Sequence, residues 1–421
     1  MAGRLIRLPL GVLVALYAAA LAAPIALALA YGAPERGWLR ELAGALAMAG
    51  FAMLLAEFVL SGRFRAVSDR AGIDATMRFH QLAARVLLVL LVLHPLLYMA
   101  PRLFASERLQ SGVAAWMLLL LLVPLAIWRD RLPIRYEAWR LSHGLGAAAI
   151  AAAGLHHTLQ VGTWSGEPWL AGYWIAMSAL ALLSLAYVYA LKPLLQLRHP
   201  YRVVSNRPVA QRMWEVTLEP ERGAALDFAP GQFVWLNLGH SPFNLVEHPF
   251  SISSAPADRP RIAFIIKESG DFTRRIGTIA PGTRAYLDGP HGSFSTAGRP
   301  LAPIAFIAGG VGFAPIIGML RELAAQRHAG PLRVVYGNRI EAQVLYREET
   351  EALKARLDLR VDYVFADLTP EVLAERLDMP ERAAWLYFVC GPTPMMDSVA
   401  RALHSLGVPR QRIISERFSY A

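Results

Sequence analysis

Two apolar stretches of the chain carry histidines at matching positions. "HQLAARVLLVLLVLH" opens on His80 and closes on His94, and "HGLGAAAIAAAGLHH" opens on His143 and closes on the tandem pair His156/His157. The 14 residues from His80 to His94 are close to four helical turns, so on a helix both face one way, about 21 Å apart along the axis. Two helices of this kind offer imidazoles at two depths. Neutral imidazole nitrogens above and below a planar metal cofactor are the chemistry of haem ligation. Zinc instead wants four ligands converging on one point. A lone histidine in such a helix is ordinarily interfacial or helix-pairing, but two matched pairs favour haem. His157 keeps the same spacing from His143 and stays within about 40° of it on a helical wheel. His156 turns to a far side unless the helix is overwound, and stays open as the alternative ligand.

The elements that must position these groups are membrane helices. Of the 421 residues, 55% are hydrophobic, too many for an ordinary soluble protein. The excess lies in residues 1–191, whereas 200–421 carry mixed charge. Six runs approach spanning length: 8–31, 42–60, 79–100, 113–128, 141–161 and 169–191, the fourth being short. Arg4, Arg7, Arg63, Arg65, Arg70, Arg78, Arg129, Arg131, Arg135, Arg140, Lys192 and Arg198 fall on one side of a six-span arrangement. Arg36, Arg40, Arg102 and Arg108 fall on the other. The bias places the N-terminus and the soluble half in the cytoplasm of a multi-pass inner (plasma) membrane protein. The first run is long for a signal peptide and reads as a retained helix.

The net charge of +10 therefore reports membrane topology, and nucleic acid is not an expected partner. Cys390 is the single cysteine, which excludes an internal disulfide and an iron–sulfur cluster held by four thiolates of this chain. Two charges fall inside spans. Arg85, just over one turn beyond His80, suits a haem propionate, and Glu57 lies near the cytoplasmic end of the second span. The two also suit pairing with each other or reaching the interface.

The soluble half changes pattern partway. "RMWEVTLEP", "GQFVWLNLG", "RIAFIIKE" and "TRAYLDGP" alternate as short strands between Pro-Gly turns, the pattern of a small antiparallel barrel. From "PIAFIAGG" through "LRVVYGN", "LRVDYVF" and "WLYFVCGP", apolar strands alternate with helical segments, as in a parallel sheet covered by helices. The turn "GGVGFAP" (309–315) follows the first of these strands, where backbone amides can approach a dinucleotide pyrophosphate. "EHPFSISS" (247–254) sets an aromatic beside hydroxyls, suited to a planar ring with a polar edge. "KESGDFT" (267–273) offers a glycine and a threonine as a phosphate cradle, and "DGPHGSFS" (288–295) is a second glycine turn. "FVCGPTPMM" (388–396) places Cys390 and Gly391 at the carboxyl edge of the sheet, where ligands bind. Singly each of these reads as turn or packing chemistry; their order is the signal.

In that order, with the histidine pairs, the chain resembles the ferric reductase and NADPH oxidase superfamily over roughly residues 40–421. The implied fold is multidomain: a six-helix transmembrane haem-binding bundle (1–195), an antiparallel β-barrel FAD domain (199–298) and an α/β parallel-sheet NAD(P)H domain (300–421). The resemblance implies flavin binding by His248, Pro249, Phe250, Ser251 and Ser253, with Phe250 against the isoalloxazine. It places flavin phosphate contacts around Lys267, Gly270, Phe272 and Thr273. It assigns the nicotinamide nucleotide to Gly309, Gly310, Gly312, Pro315, Cys390, Gly391 and Pro392. The aromatic that commonly covers the flavin at the C-terminus is Phe418 here, with Glu416 nearby and Tyr420 the lesser candidate. Phe250, Ser251, Cys390 and Phe418 form the expected catalytic set.

The implied activity passes electrons from cytoplasmic NAD(P)H through FAD and two b-type haems, His80/His143 and then His94/His157, to a small-molecule acceptor on the outer face. Ferric chelates, dioxygen, a quinone and a periplasmic protein all suit that position. Arg339, after "LRVVYGN", suits a 2′-phosphate, but NADPH against NADH stays open, as does the oligomeric state. Two other readings are a membrane-anchored flavin reductase, which leaves the histidines unexplained, and a haem-bearing redox subunit serving a partner protein, which leaves the nucleotide-binding half unexplained.

Overall fold

The computed structural model describes residues 9–31, 37–65, 67, 72–98, 109–161, 166–299 and 303–416. The chain forms two compact units that divide between Lys192 and Pro193.

The first unit is helical: α1 (Leu10–Ala30), α2 (Trp38–Leu60), α3 (Ile73–Leu97), α4 (Gln110–Ile127), α5 (Tyr136–Val161) and α6 (Pro168–Ala186). Gly37 and Gly72 precede α2 and α3 with φ of 85° and 80°, a left-handed turn that favours glycine and stops helix from running through. Pro168 opens α6, where its missing N–H is no loss. The last of these helices continues through a π-helical turn, Tyr187–Leu191, into α7 (Lys192–Arg198). Helix α2 is the most enclosed, burying Phe51, Leu55 and Phe58 against its neighbours α1, α3 and α6, while α4 packs on α5.

Among the described residues five helices are long and apolar enough to cross a membrane: α1, α2, α3, α4 and the continuous 168–198 segment. The expected sixth, α5, has the length at 26 residues but not the apolarity, since Arg140, His143, His156, His157 and Gln160 all lie on it. Its polar first turn also carries it back to Tyr136, five residues before the apolar run begins. Helix α3 starts earlier than its apolar run for the same reason.

The second unit holds two sheets. Strands β1 (Tyr201–Ala210), β2 (Met213–Pro220), β3 (Phe233–Leu238), β4 (His248–Ser251), β5 (Ile262–Lys267) and β6 (Arg284–His291) pair antiparallel in the order β4-β3-β6-β1-β2-β5. The edges of this sheet meet just past β4, where Ile252 bridges Phe264 and the Ser253 N–H donates to the Ala263 carbonyl at 2.8 Å. The curl encloses Val203, Val216, Leu236 and Phe264.

Strands β7 (Ile304–Gly309), β8 (Leu332–Gly337), β9 (Leu359–Val364), β10 (Leu386–Cys390) and β11 (Ile413–Ser415) form a wholly parallel sheet ordered β11-β10-β7-β8-β9. Successive side chains point to opposite faces. Phe306, Val334, Tyr336 and Phe388 pack beneath α8 (Phe313–Ala325), with α9 (Arg347–Leu353) beside it. Ala305, Ile307, Val335 and Tyr387 pack on the opposite side, under α10 (Pro370–Arg376) and α11 (Thr393–Ser405). The strand order reverses at β7, so a crevice opens at the carboxyl ends of β7 and β10, the switch point where such sheets bind ligands.

Candidate functional site

In the helical unit the structure brings the expected histidines together in pairs. The rings of His80 and His143 have centroids 6.3 Å apart. Metal–imidazole bonds of about 2 Å on either side of one ion would set such rings roughly 6 Å apart. His80 Nδ1 donates to Glu57 Oε2 at 2.8 Å, and His94 Nδ1 donates to the Ala43 carbonyl at 3.0 Å. A donating Nδ1–H leaves the Nε2 lone pair for a metal. On the facing helix, Nδ1 of His143 and of His157 is buried without a hydrogen-bond partner. Among the described residues no three His, Cys, Asp or Glu side chains gather to hold a metal. Paired imidazoles suit a metal whose remaining ligands come from a macrocycle.

His94 and His157 line one cavity of about 770 Å³, together with Arg40, Phe51, Trp116 and Trp174. The cavity is large and largely apolar-lined, within the ordinary range for small-molecule and cofactor sites. A Cβ at Gly112 would stand 2.5 Å from His157 Nδ1, so glycine there leaves room for the ring. His156 instead lines a separate pocket beside Ser178. Arg85 is exposed, and Glu57 bonds to His80 and Tyr17 rather than to it. These residues fit a pair of haems.

In the barrel, β4 holds His248, Pro249, Phe250 and Ser251 in register with Leu236, Trp235, Val234 and Phe233 of β3. The His248 ring stacks on Phe272, centroids 4.4 Å apart at 19°, and Phe250 lies 6.4 Å from the first and 6.5 Å from the second. All three are only partly buried, an aromatic platform suited to a planar ring. The Thr273 hydroxyl accepts from the Ser269 and Gly270 amides at 2.9 Å each. It therefore fastens its own turn, and what the turn offers outward is the open face of Gly270, with nothing within 4 Å of a Cβ there. Lys267 ends β5 opposite Met213, partly exposed. Ser253 is wholly buried, and its carbonyl accepts from Arg321 Nη1 at 2.8 Å, placing it at a seam with the nucleotide-side helix α8.

At the crevice, the loops after β7 and β10 touch through their backbones. A Cβ at Gly312 would stand 2.3 Å from the Cys390 carbonyl oxygen, and one at Gly309 would stand 2.3 Å from Met395 Sδ. Gly310 has φ of 55°, and its carbonyl accepts from the Tyr336 hydroxyl at 3.0 Å. Pro315 sits in the first turn of α8 and Pro392 immediately precedes α11. Cys390 is buried; burial, followed by the nearby Glu416 carboxylate, pushes its thiol up to about 12. It is a neutral thiol, not a nucleophile. Glu416 also abuts Gly292, whose Cβ would meet Oε1 at 2.6 Å, so the chain end returns to the barrel loop 288–295. Arg339 is exposed just past β8. Phe418 and Tyr420 lie outside the described residues, as do Arg4, Arg7, Arg36, Arg70, Arg102 and Arg108.

Sequence reasoning missed Tyr336 and Arg321, and gave Glu57 no role as a histidine partner. Tyr336, stacked on Phe313 at 4.4 Å, looks in sequence like any aromatic of a buried strand.

Three family models match the chain in order. "Ferric reductase like transmembrane component" covers residues 46–154, "FAD-binding domain" covers 208–292, and "Oxidoreductase NAD-binding domain" covers 306–401. The first includes His80, His94 and His143 and stops short of His156 and His157. Ferredoxin–NADP reductase B of Sorangium cellulosum is 32% identical over 237 residues, 52% of this chain and 96% of its own length. The reductase component of propane 2-monooxygenase from Mycolicibacterium smegmatis is 27% identical over 235 residues, 52% of this chain and 67% of its own. The solved structure of flavohemoglobin from Malassezia yamatoensis with bound FAD and heme covers 90% of this chain and 99% of its own, at 17% identity and a TM-score of 0.50, a likeness of fold.

Proposed function

The chain belongs to the ferric reductase and NADPH oxidase superfamily and is an NAD(P)H-dependent oxidoreductase, and on that premise we propose that it moves electrons across a membrane. The donor is cytoplasmic NAD(P)H, the carriers are FAD and two b-type haems, and the acceptor is a ferric chelate or dioxygen at the outer face of the inner (plasma) membrane. In this reading α5 is the sixth span: Arg140, His143 and His157 are partly buried, while His156 and Gln160 are exposed.

The observation that carries the proposal is the double pairing of histidines: His80 faces His143 across 6.3 Å, and His94 shares one cavity with His157. Neither an anchored flavin reductase nor a subunit without its own dehydrogenase accounts for both that pairing and the glycine-lined crevice.

When bound, FAD accepts a hydride and releases its electrons singly, and haem iron relays them one at a time. The chain's own residues bind and orient. Gly309, Gly310 and Gly312 let the β7 turn approach a pyrophosphate, whose charge the start of α8 favours. Cys390 and Gly391 hold the nicotinamide end at the switch point, the thiol neutral. His248, Phe250 and Phe272 offer the stacking platform, Ser251 and Pro249 shape its edge, and the turn at Lys267, Gly270 and Thr273 receives phosphate. Phe418, outside the described residues, is the proposed cover of the flavin. Arg40, lining the outer cavity, supports an anionic acceptor, and Arg339 a 2′-phosphate.

Haem counted per chain in purified protein tests the reading. Two are expected, with one lost in H80A or H143A, one lost in H94A or H157A, and none lost in H156A. Wild-type protein without haem, or an H80A variant that keeps both, would overturn it.

A further inference from the structure

The two histidine pairs differ in what holds them. His80 Nδ1 donates to a carboxylate, Glu57 Oε2, at 2.8 Å. Glu57 is only 5% exposed, on the enclosed helix α2, and its other oxygen accepts from the Tyr17 hydroxyl at 3.1 Å. Each carboxyl oxygen of Glu57 thus has its own hydrogen-bond partner, one on α1 and one on α3. At the other depth His94 donates to a neutral backbone carbonyl, Ala43 O, at 3.0 Å. The facing rings, His143 and His157, have buried Nδ1 atoms with no hydrogen-bond partner. A carboxyl group buried in an apolar helix is costly and calls for a reason, and packing alone supplies none.

Resting on the haem reading above, we propose that Glu57 is a positioning residue that makes the inner, His80-held haem the poorer electron acceptor of the two. The carboxylate fixes the His80 tautomer and increases the basicity of Nε2. A more basic imidazole would favour ferric over ferrous iron and lower the potential, and an imidazole bonded to a neutral carbonyl would do this less. With haem held at both pairs, the step concerned would pass one electron from the inner site to the outer, with no bond or proton changing hands. A lower inner potential makes that step favourable outward. Glu57 would thus give the relay its direction without touching either iron.

The test is a spectroelectrochemical titration of the full-length haem-loaded protein, with haem counted alongside, for wild type, E57Q and Y17F. Wild type should hold two haems of different potential. E57Q should keep both and raise only the lower potential, by about tenfold in that haem's oxidised-to-reduced ratio, about 59 mV for one electron. Y17F should move the same haem the opposite way, because the carboxylate loses the donor that competes with His80. A purely structural role would not give shifts of opposite sign. Haem-replete E57Q with unmoved potentials, or with both moved equally, would overturn the proposal. If E57Q loses a haem, Y17F decides: no downward shift overturns it. Wild-type protein without haem would overturn the haem reading itself, and this inference with it.

Discussion

The Cys390 carbonyl oxygen occupies the place a side chain on Gly312 would need, 2.3 Å from where its Cβ would stand. Both contacting groups are fixed by strands, β7 leading into one and β10 into the other, so rotating a side chain cannot relieve the clash. G312A should push the two loops apart and close the pyrophosphate approach. Steady-state kinetics should show KM for the nicotinamide nucleotide raised about tenfold or more, with flavin content unchanged and a stability loss of roughly 1–3 kcal/mol. An unchanged KM would remove this turn from the nucleotide site.

Cys390 should be inert toward alkylation in the folded protein. Its thiol rises from 9.0 to about 12, because burial disfavours the thiolate and the Glu416 carboxylate adds repulsion. Between those values the folded state holds a proton the unfolded state has lost. Stability from this group is therefore intact below pH 9.0 and falls as pH rises toward about 12. Iodoacetamide at pH 8 should label Cys390 only after denaturation, and rapid labelling of native protein would contradict its burial.

Arg321 ties the barrel to the nucleotide side. Its guanidinium forks onto Glu349 at 2.6 and 2.7 Å and donates to the Ser253 carbonyl at 2.8 Å. R321M should lose about 1–3 kcal/mol, since the pair is only partly buried while the fork is bidentate. That corresponds to a fall of several degrees in Tm, read by a thermal melt in detergent. A Tm equal to wild type would show the clamp to be idle.

Gly112 and Gly11 make a matched test of the outer cavity. A methyl at 112 would meet His157 Nδ1 at 2.5 Å, while one at 11 meets nothing within 4 Å. G112A should therefore displace His157 and lower haem content from two per chain toward one, and G11A should leave it at two. Equal haem content in both variants would argue against His157 as a ligand.

Legibility followed the range over which each signal acts. The histidine spacing on α3 and α5 is a property of one helix each, so it could be read directly, and the strands and glycine turns were legible for the same reason. The Glu57–His80 bond joins residues 23 apart on different helices, and only helix packing makes it. Thr273 shows the converse: a hydroxyl three residues past a glycine looks ligand-facing in sequence, yet its geometry spends it on the turn. Helix α5 was expected among the apolar spans because of its alanine run, but its flanking charges and histidines count against it. Glu416 acquires neighbours only when β11 returns the chain to Cys390 and Gly292.

The most direct test is an anaerobic titration of purified, FAD-supplied protein with NADPH and, separately, NADH, following flavin and haem absorption together. Flavin bleaching followed by reduction of two haems per chain is the expected result, and the faster nucleotide identifies the donor. Flavin that bleaches while bound haem stays oxidised, or with no haem present, would contradict transmembrane electron transfer by this chain.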